Sequence, residues 1–123
     1  MVPTLTLAFE ASAIVEGFRI ARFSDAASTA RIAHASANTD AIIGVIDRIG
    51  APLGGMADVV MDGTADVALG GTVAAGAALT ADANGRAIAS TAGAGRRIVG
   101  FALQPGVSGD IIKVRVAPGF HSA

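Results

Sequence analysis

Residues Gly70–Ser90 read GGTVAAGAALTADANGRAIAS, followed by RRIVGFALQPG at Arg96–Gly106 and SGDIIKVRVAPG at Ser108–Gly119. This stretch decides the fold class. It consists of short apolar runs cut by glycine, with no run long enough or periodic enough for a helix. Ala83-Asn84-Gly85-Arg86 is the strongest turn signal, because Asn-Gly supplies the positive φ angles of a tight type I′ hairpin. In the last run Ile112, Val114 and Val116 alternate with Lys113 and Arg115, the pattern of a strand with one buried and one solvated face.

Working outward, the same signals recur. Leu5, Leu7 and Phe9 alternate with Thr4, Thr6 and Ala8, so residues 1–11 read as an extended N-terminal arm or a first strand. Pro3 suits an edge position rather than a central one. Residues 12–123 then form a single β-domain. Phe18–Phe23 is a strand whose apolar phase slips between Ile20 and Phe23, the mark of a bulge. Ser24–Ser28 is a turn, Ala30–His34 a returning strand and Asn38–Asp40 a loop. Ile42–Ile49 is a β-branched strand with Gly44 inside it, where glycine signals a bulge or close backbone approach. Gly50–Gly55 is a loop, and Asp62-Gly63 reads as a second hairpin between Ala57–Asp62 and Ala65–Leu69. Turns every eight to twelve residues or so indicate an all-β chain of short antiparallel strands, a small β-barrel or sandwich.

An internal repeat of a β-unit is also legible. Ile14–Gly17 matches Val73–Gly76, Ile32-Ala33 matches Ile88-Ala89, and Ile43-Gly44-Val45 matches Val99-Gly100-Phe101. Asp58-Val59-Val60 matches Asp110-Ile111-Ile112. Two such units, neither able to cover its own apolar face, would pack together into one core.

Composition narrows function by exclusion. The chain has 123 residues, enough for one domain, and a net charge of −1, so no global field draws it to nucleic acid or anionic lipid. Charged residues make up 15% against the usual quarter or so, and the aromatic residues are five phenylalanines with no Trp or Tyr. Such a charge-poor surface suits a protein that is packed against something else. The chain lacks cysteine, which removes disulfides and thiolate metal sites. The N-terminus lacks the basic start and apolar core of a signal peptide, and no apolar run reaches membrane-spanning length. A soluble protein made in the cytoplasm is expected, with no nucleic-acid or membrane partner.

No catalytic constellation appears, so the expectation is no enzyme, no cofactor and no metal. His34 and His121 stand apart from carboxylates at ligand spacing. No serine lies in a G-x-S-x-G elbow. Gly93–Arg97 lacks the lysine and following helix of a phosphate cradle and reads as a turn with a basic pair. Asp58, Asp62 and Asp66 lack the D-x-D-x-D-G order of a calcium loop and read as outward-facing.

Taken in order, ASANTDAIIGV (35–45), MADVVMDGTADVALGGTVAAGAALTADANGRAIAS (56–90) and RRIVGFALQPGVSGDIIKVRVAPG (96–119) resemble the capsid decoration, or cement, proteins of tailed bacteriophages. The features that carry this are Gly70-Gly71, Gly76, Leu79, the Asp82–Gly85 turn, Ile98-Val99-Gly100, Gly109–Ile112 and Ala117-Pro118-Gly119. The resemblance spans roughly the C-terminal three-quarters of the chain. It implies a small β-barrel-like structural protein on the outer surface of the assembled head, bridging major capsid subunits. It also implies a homotrimer at local threefolds, or else a dimer at twofolds. Leu5, Leu7 and Phe9 are then the expected capsid or oligomer contacts. A phage tail or baseplate β-module and a small ligand-binding β-barrel are the readings that compete with it.

Overall fold

The computed structural model describes residues 5–24, 30–91 and 96–120. Among these it has nine strands and no helix: β1 (Leu5–Glu10), β2 (Ile20–Phe23), β3 (Ile32–His34), β4 (Ile42–Ile46), β5 (Met56–Ala68), β6 (Ala78–Ala81), β7 (Ala87–Ala89), β8 (Arg97–Ala102) and β9 (Ile111–Phe120). They form one antiparallel sheet in the order β3-β2-β4-β5-β9-β8-β6-β7, with β1 on the other edge of β5. The ladder does not close into a barrel. The Ser24–Ser28 turn and the Gly93–Gly95 part of the basic turn lie largely outside the described residues, as does His121.

The alternation read in the sequence holds where it was cleanest. Ile112, Val114 and Val116 are buried, and Lys113 and Arg115 are exposed. The bulge expected in β2 lies instead in its partner β4: Ala21 pairs with Gly44 and Arg22 with Ile42, so Ile43 is the extra residue, next to the glycine that signalled it, while β2 pairs with β3 without a break. Residues 5–10 are a strand of the protein's own sheet, paired with β5 from Glu10↔Met56 to Leu5↔Asp62.

Asp62-Gly63 is not a hairpin. β5 runs straight through it, and Gly63 takes φ 105° in mid-strand. A type I′ turn needs positive φ at both central residues, and only Gly63 supplies one. The two halves of β5 do not pair with each other because each finds a better partner elsewhere. Met56–Asp62 pairs with β1, and Gly63–Ala68 pairs with β9. The turn at Asn84-Gly85 does join a hairpin, β6 to β7, but through a longer loop than a type I′ turn. Only Gly85 has positive φ (76°), and the Asp82 carboxylate closes the loop by accepting the N–H groups of Asn84 (2.8 Å) and Arg86 (2.9 Å).

The internal repeat is present, in a register that the sequence matches only approximate. The first unit is β1–β4 with the first half of β5. The second is the rest of β5 with β6–β9. The pairs Leu7↔Val59, Ala8↔Asp58 and Phe9↔Ala57 recur as Ala65↔Val114, Asp66↔Lys113 and Val67↔Ile112. Ala21↔His34 recurs as Leu79↔Ala89, and Val45↔Val60 as Phe101↔Arg115. The bridges Ala11↔Ile32 and Val15↔Ala51 recur as Leu69↔Ala87 and Val73↔Gly106. The match of Gly44 with Gly100 stands. Val15, rather than Ile14, corresponds to Val73, and Asp58 corresponds to Lys113 rather than Asp110. The misalignment arises because the loops between strands differ in length between the two units, which a search for similar short words cannot track.

Each unit wraps its own apolar core. Val15, Ile32, Ile46, Ala57 and Val59 fill the first, with Phe9 and Phe23 packed against them. Val67, Leu69, Leu79, Val99, Ile112 and Val114 fill the second. The units are fused because Ile20, Ala35, Ile42, Val45 and Val60 leave the first unit's outer face to join the second unit's cluster. Backbone hydrogen bonds cross the same seam: Ile20 N–H to Gly85 O (2.7 Å), Ala68 N–H to Phe18 O (2.8 Å) and Arg97 N–H to Asn38 O (2.7 Å).

Candidate interaction surface

Among the described residues no group of three or more His, Asp or Glu side chains is placed to hold a metal ion. Asp58, Asp62 and Asp66 are all exposed, as read from the sequence. They are spread along β5, where Asp66 pairs with Lys113 at 3.7 Å and Asp62 caps the Gly63 N–H at 2.9 Å.

His34 has a structural partner. Its Nε2 accepts the backbone N–H of Glu16 at 2.8 Å, in an open cleft of ≈ 470 Å³ at the unit seam lined also by Arg19, Asn84 and Arg86. Burial lowers its pKa from the ordinary 6.5, and the Arg19 guanidinium pushes the same way against the Glu16 carboxylate. A ring held neutral in the folded chain takes up a proton more readily once the chain unfolds. The contribution of His34 to stability is therefore complete above 6.5 and is lost as pH falls below it. The expected result is a melting temperature that drops between about pH 7 and pH 5, with a shallower drop in His34→Gln. Parallel slopes for the two proteins would show that His34 does not drive the effect.

The surface is more informative than the clefts. Leu5 (50% exposed) and Leu7 (47%) lie on the apolar side of β1 near its start. Phe9, next on that side, turns into the first core, edge to face with Phe23 at 5.6 Å and 82°. The three expected contact residues therefore share a face, but only two of them offer surface. Other exposed apolar side chains occupy corresponding ends of the two units. They are Ile14, Ile49, Leu53 and Met56 on the first, and Leu103, Val107 and Ile111 on the second.

A further apolar face was not read from the sequence. On the outer side of β8 and β9, Phe101 (40% exposed) lies across from Arg115; beyond a register shift between Ile98 and Gly100, Phe120 (63% exposed) lies across from Arg97. The Arg97 guanidinium stacks 4.9 Å from the Phe120 ring centroid, a cation–π contact that holds both side chains in place. The alternation in β9 already put Lys113 and Arg115 on the solvent side. Nothing local placed Phe101 beside Arg115 or Phe120 beside Arg97, because each pair joins residues of two different strands.

No protein-family model matches the chain, and none of the curated proteins matches it. Among solved structures, the head fiber gp8.5 N base of bacteriophage phi29 is similar in fold, with a TM-score of 0.70 at 19% sequence identity. The match covers 94% of this chain and 95% of that one.

Proposed function

We propose that this chain is a structural virion protein of a tailed phage. It binds the outside of the assembled head as a minor capsid, or cement, protein and stabilises contacts between major capsid subunits. It acts there as a homo-oligomer, a trimer in preference to a dimer. The observation that carries this reading is the fold likeness over nearly the whole of both chains to the base of a phage head fiber. The order of motifs from Ala35 to Gly119 supports it independently. So does the surface, with few charges and exposed side chains such as Leu5, Leu7, Phe101 and Phe120. Individually such contacts are weak. Several copies linked in one oligomer raise the effective concentration of each contact, so the assembly holds where a single copy would dissociate. On this reading the protein is not an enzyme and needs no cofactor. Its partners are the major capsid protein and its own copies, and it is made in the host cytoplasm before joining the outer surface of the virion.

The test is to add the purified protein to empty heads assembled without it. The expected outcome is saturable binding at a fixed number of copies per head and a higher temperature of head disruption. Leu5→Ser and Leu7→Ser should weaken that binding while leaving the fold intact. Absence of binding to heads, together with co-purification with tails, would overturn this reading in favour of a tail or baseplate module.

A further inference from the structure

We propose that the outer face of β8 and β9 docks on the outer β1–β5 face of a second copy of this chain, joining copies head to tail. Three observations lead there. The first is the repeat. Val45 and Val60 occupy, in the first unit, the positions that Phe101 and Arg115 occupy in the second. Val45 and Val60 are buried, because another repeat of the same fold covers that face. Phe101 and Arg115 are open to solvent. The fold thus already contains one covered and one uncovered version of the same surface.

The second observation is the chemistry of the uncovered version. Phe101 stands across from Arg115, whose guanidinium is free, and farther along the same two strands Phe120 stacks on Arg97. Arg115 has no carboxylate in ion-pair range among the described residues, whereas Lys113 is held by Asp66. Arginine and aromatic side chains together are the composition of interface centres, where both bury apolar area and keep directional hydrogen bonds.

The third observation is charge inversion between the units. Lys113 in β9 corresponds to Asp58 in the first half of β5. Asp58 is exposed and without an ion pair among the described residues, and it lies beside the exposed Met56 and the β1 residue Ala8 on the same outer face; Glu10, across from Met56, is already paired with Arg31 at 4.0 Å, which leaves Asp58 as the unpaired acid. One chain therefore carries an aromatic and basic face on its second unit and an apolar and acidic face on its first. Both faces are built on the same strand framework. Opposite faces of this kind pair one copy's second unit with the next copy's first unit, a heterologous contact that closes into a ring when the rotation permits. The inference rests only on the oligomeric part of the proposed function. Head binding can fail while this contact holds, and the two are measured separately.

Sedimentation equilibrium on the full chain tests it. The unaltered protein should associate with increasing concentration. Arg115→Asp and Asp58→Arg should each weaken association by about tenfold or more, and Phe101→Ala should do the same. Combining Arg115→Asp with Asp58→Arg should restore association to within about threefold of the original, because the charges are exchanged rather than lost. Unchanged melting of the single variants establishes that they fold. The proposal is overturned if the single reversals leave association intact, or if the combined variant stays as weak as either. It is equally overturned if the unaltered protein remains a monomer and Arg115→Asp instead reduces binding to empty heads, which assigns the face to the major capsid protein.

Discussion

Replacing Gly100 by alanine is expected to destabilise the fold by about 3–5 kcal/mol, a large part of the roughly 5–15 kcal/mol available to a domain. Gly100 sits inside β8 with its Cα against β9. A methyl group added there would fall within the van der Waals envelope of the Arg115 carbonyl oxygen. That oxygen belongs to backbone in the ladder, so it cannot swing aside as a side chain would. Relief requires β8 and β9 to separate, and Val99, Ala102, Val114 and Val116 would lose their packing together. The corresponding residue of the first unit, Gly44, meets the Val60 carbonyl oxygen in the same way, and Gly44→Ala is expected to be comparably costly. Gly119 is the control. A methyl group there meets nothing within 4 Å, so Gly119→Ala should change stability by no more than about 0.5 kcal/mol. Urea denaturation followed by circular dichroism provides the measurement. A Gly100→Ala protein with an unshifted midpoint would show that the strands do not approach as closely as the structure has them.

Deleting residues 1–9 is expected to abolish cooperative folding rather than merely weaken attachment to a partner. β1 pairs with β5 along its whole length, and Phe9 packs against Phe23 over Ala57 and Val59. Burial of one large apolar side chain contributes roughly 1.5–3 kcal/mol. Each ladder hydrogen bond lost adds a net 0.5–1.5 kcal/mol or so. The sum reaches several kcal/mol, again a large fraction of the whole. The second unit shows what the position demands, since the strand corresponding to β1 is the C-terminal half of β5, covalently continuous with the centre of the sheet. A chain starting at Glu10 should therefore show a non-cooperative or much lower melting transition. If it melts as sharply and at the same temperature as the full chain, β1 is an interaction arm that the body of the fold does not need. The substitutions at Leu5 and Leu7 separate the two roles, since both side chains are half exposed and their loss leaves the ladder in place.

What the sequence by itself determined is the strand class and, where alternation is clean, the side of the strand that faces inward. Period-two alternation is a local property, so Ile112, Val114 and Val116 could be assigned to the core without knowing what they touch. The bulge and the close approach at Gly44 in β4 and the existence of a repeat were legible for the same reason. Each leaves a mark within a few residues. Tertiary structure alone decided who lies across from whom. Asp62-Gly63 has the composition of a hairpin, yet β5 passes straight through it because β1 and β9, distant in the chain, offer its two halves longer ladders than they could offer each other. The same non-local pairing drew β1 into the first core through Phe9 and left Leu5 and Leu7 at its rim. It also set Phe101 beside Arg115 and Phe120 beside Arg97. The repeat explains why one of two equivalent faces is buried and the other open: the second unit covers the first unit's face, and among the described residues nothing covers the second unit's.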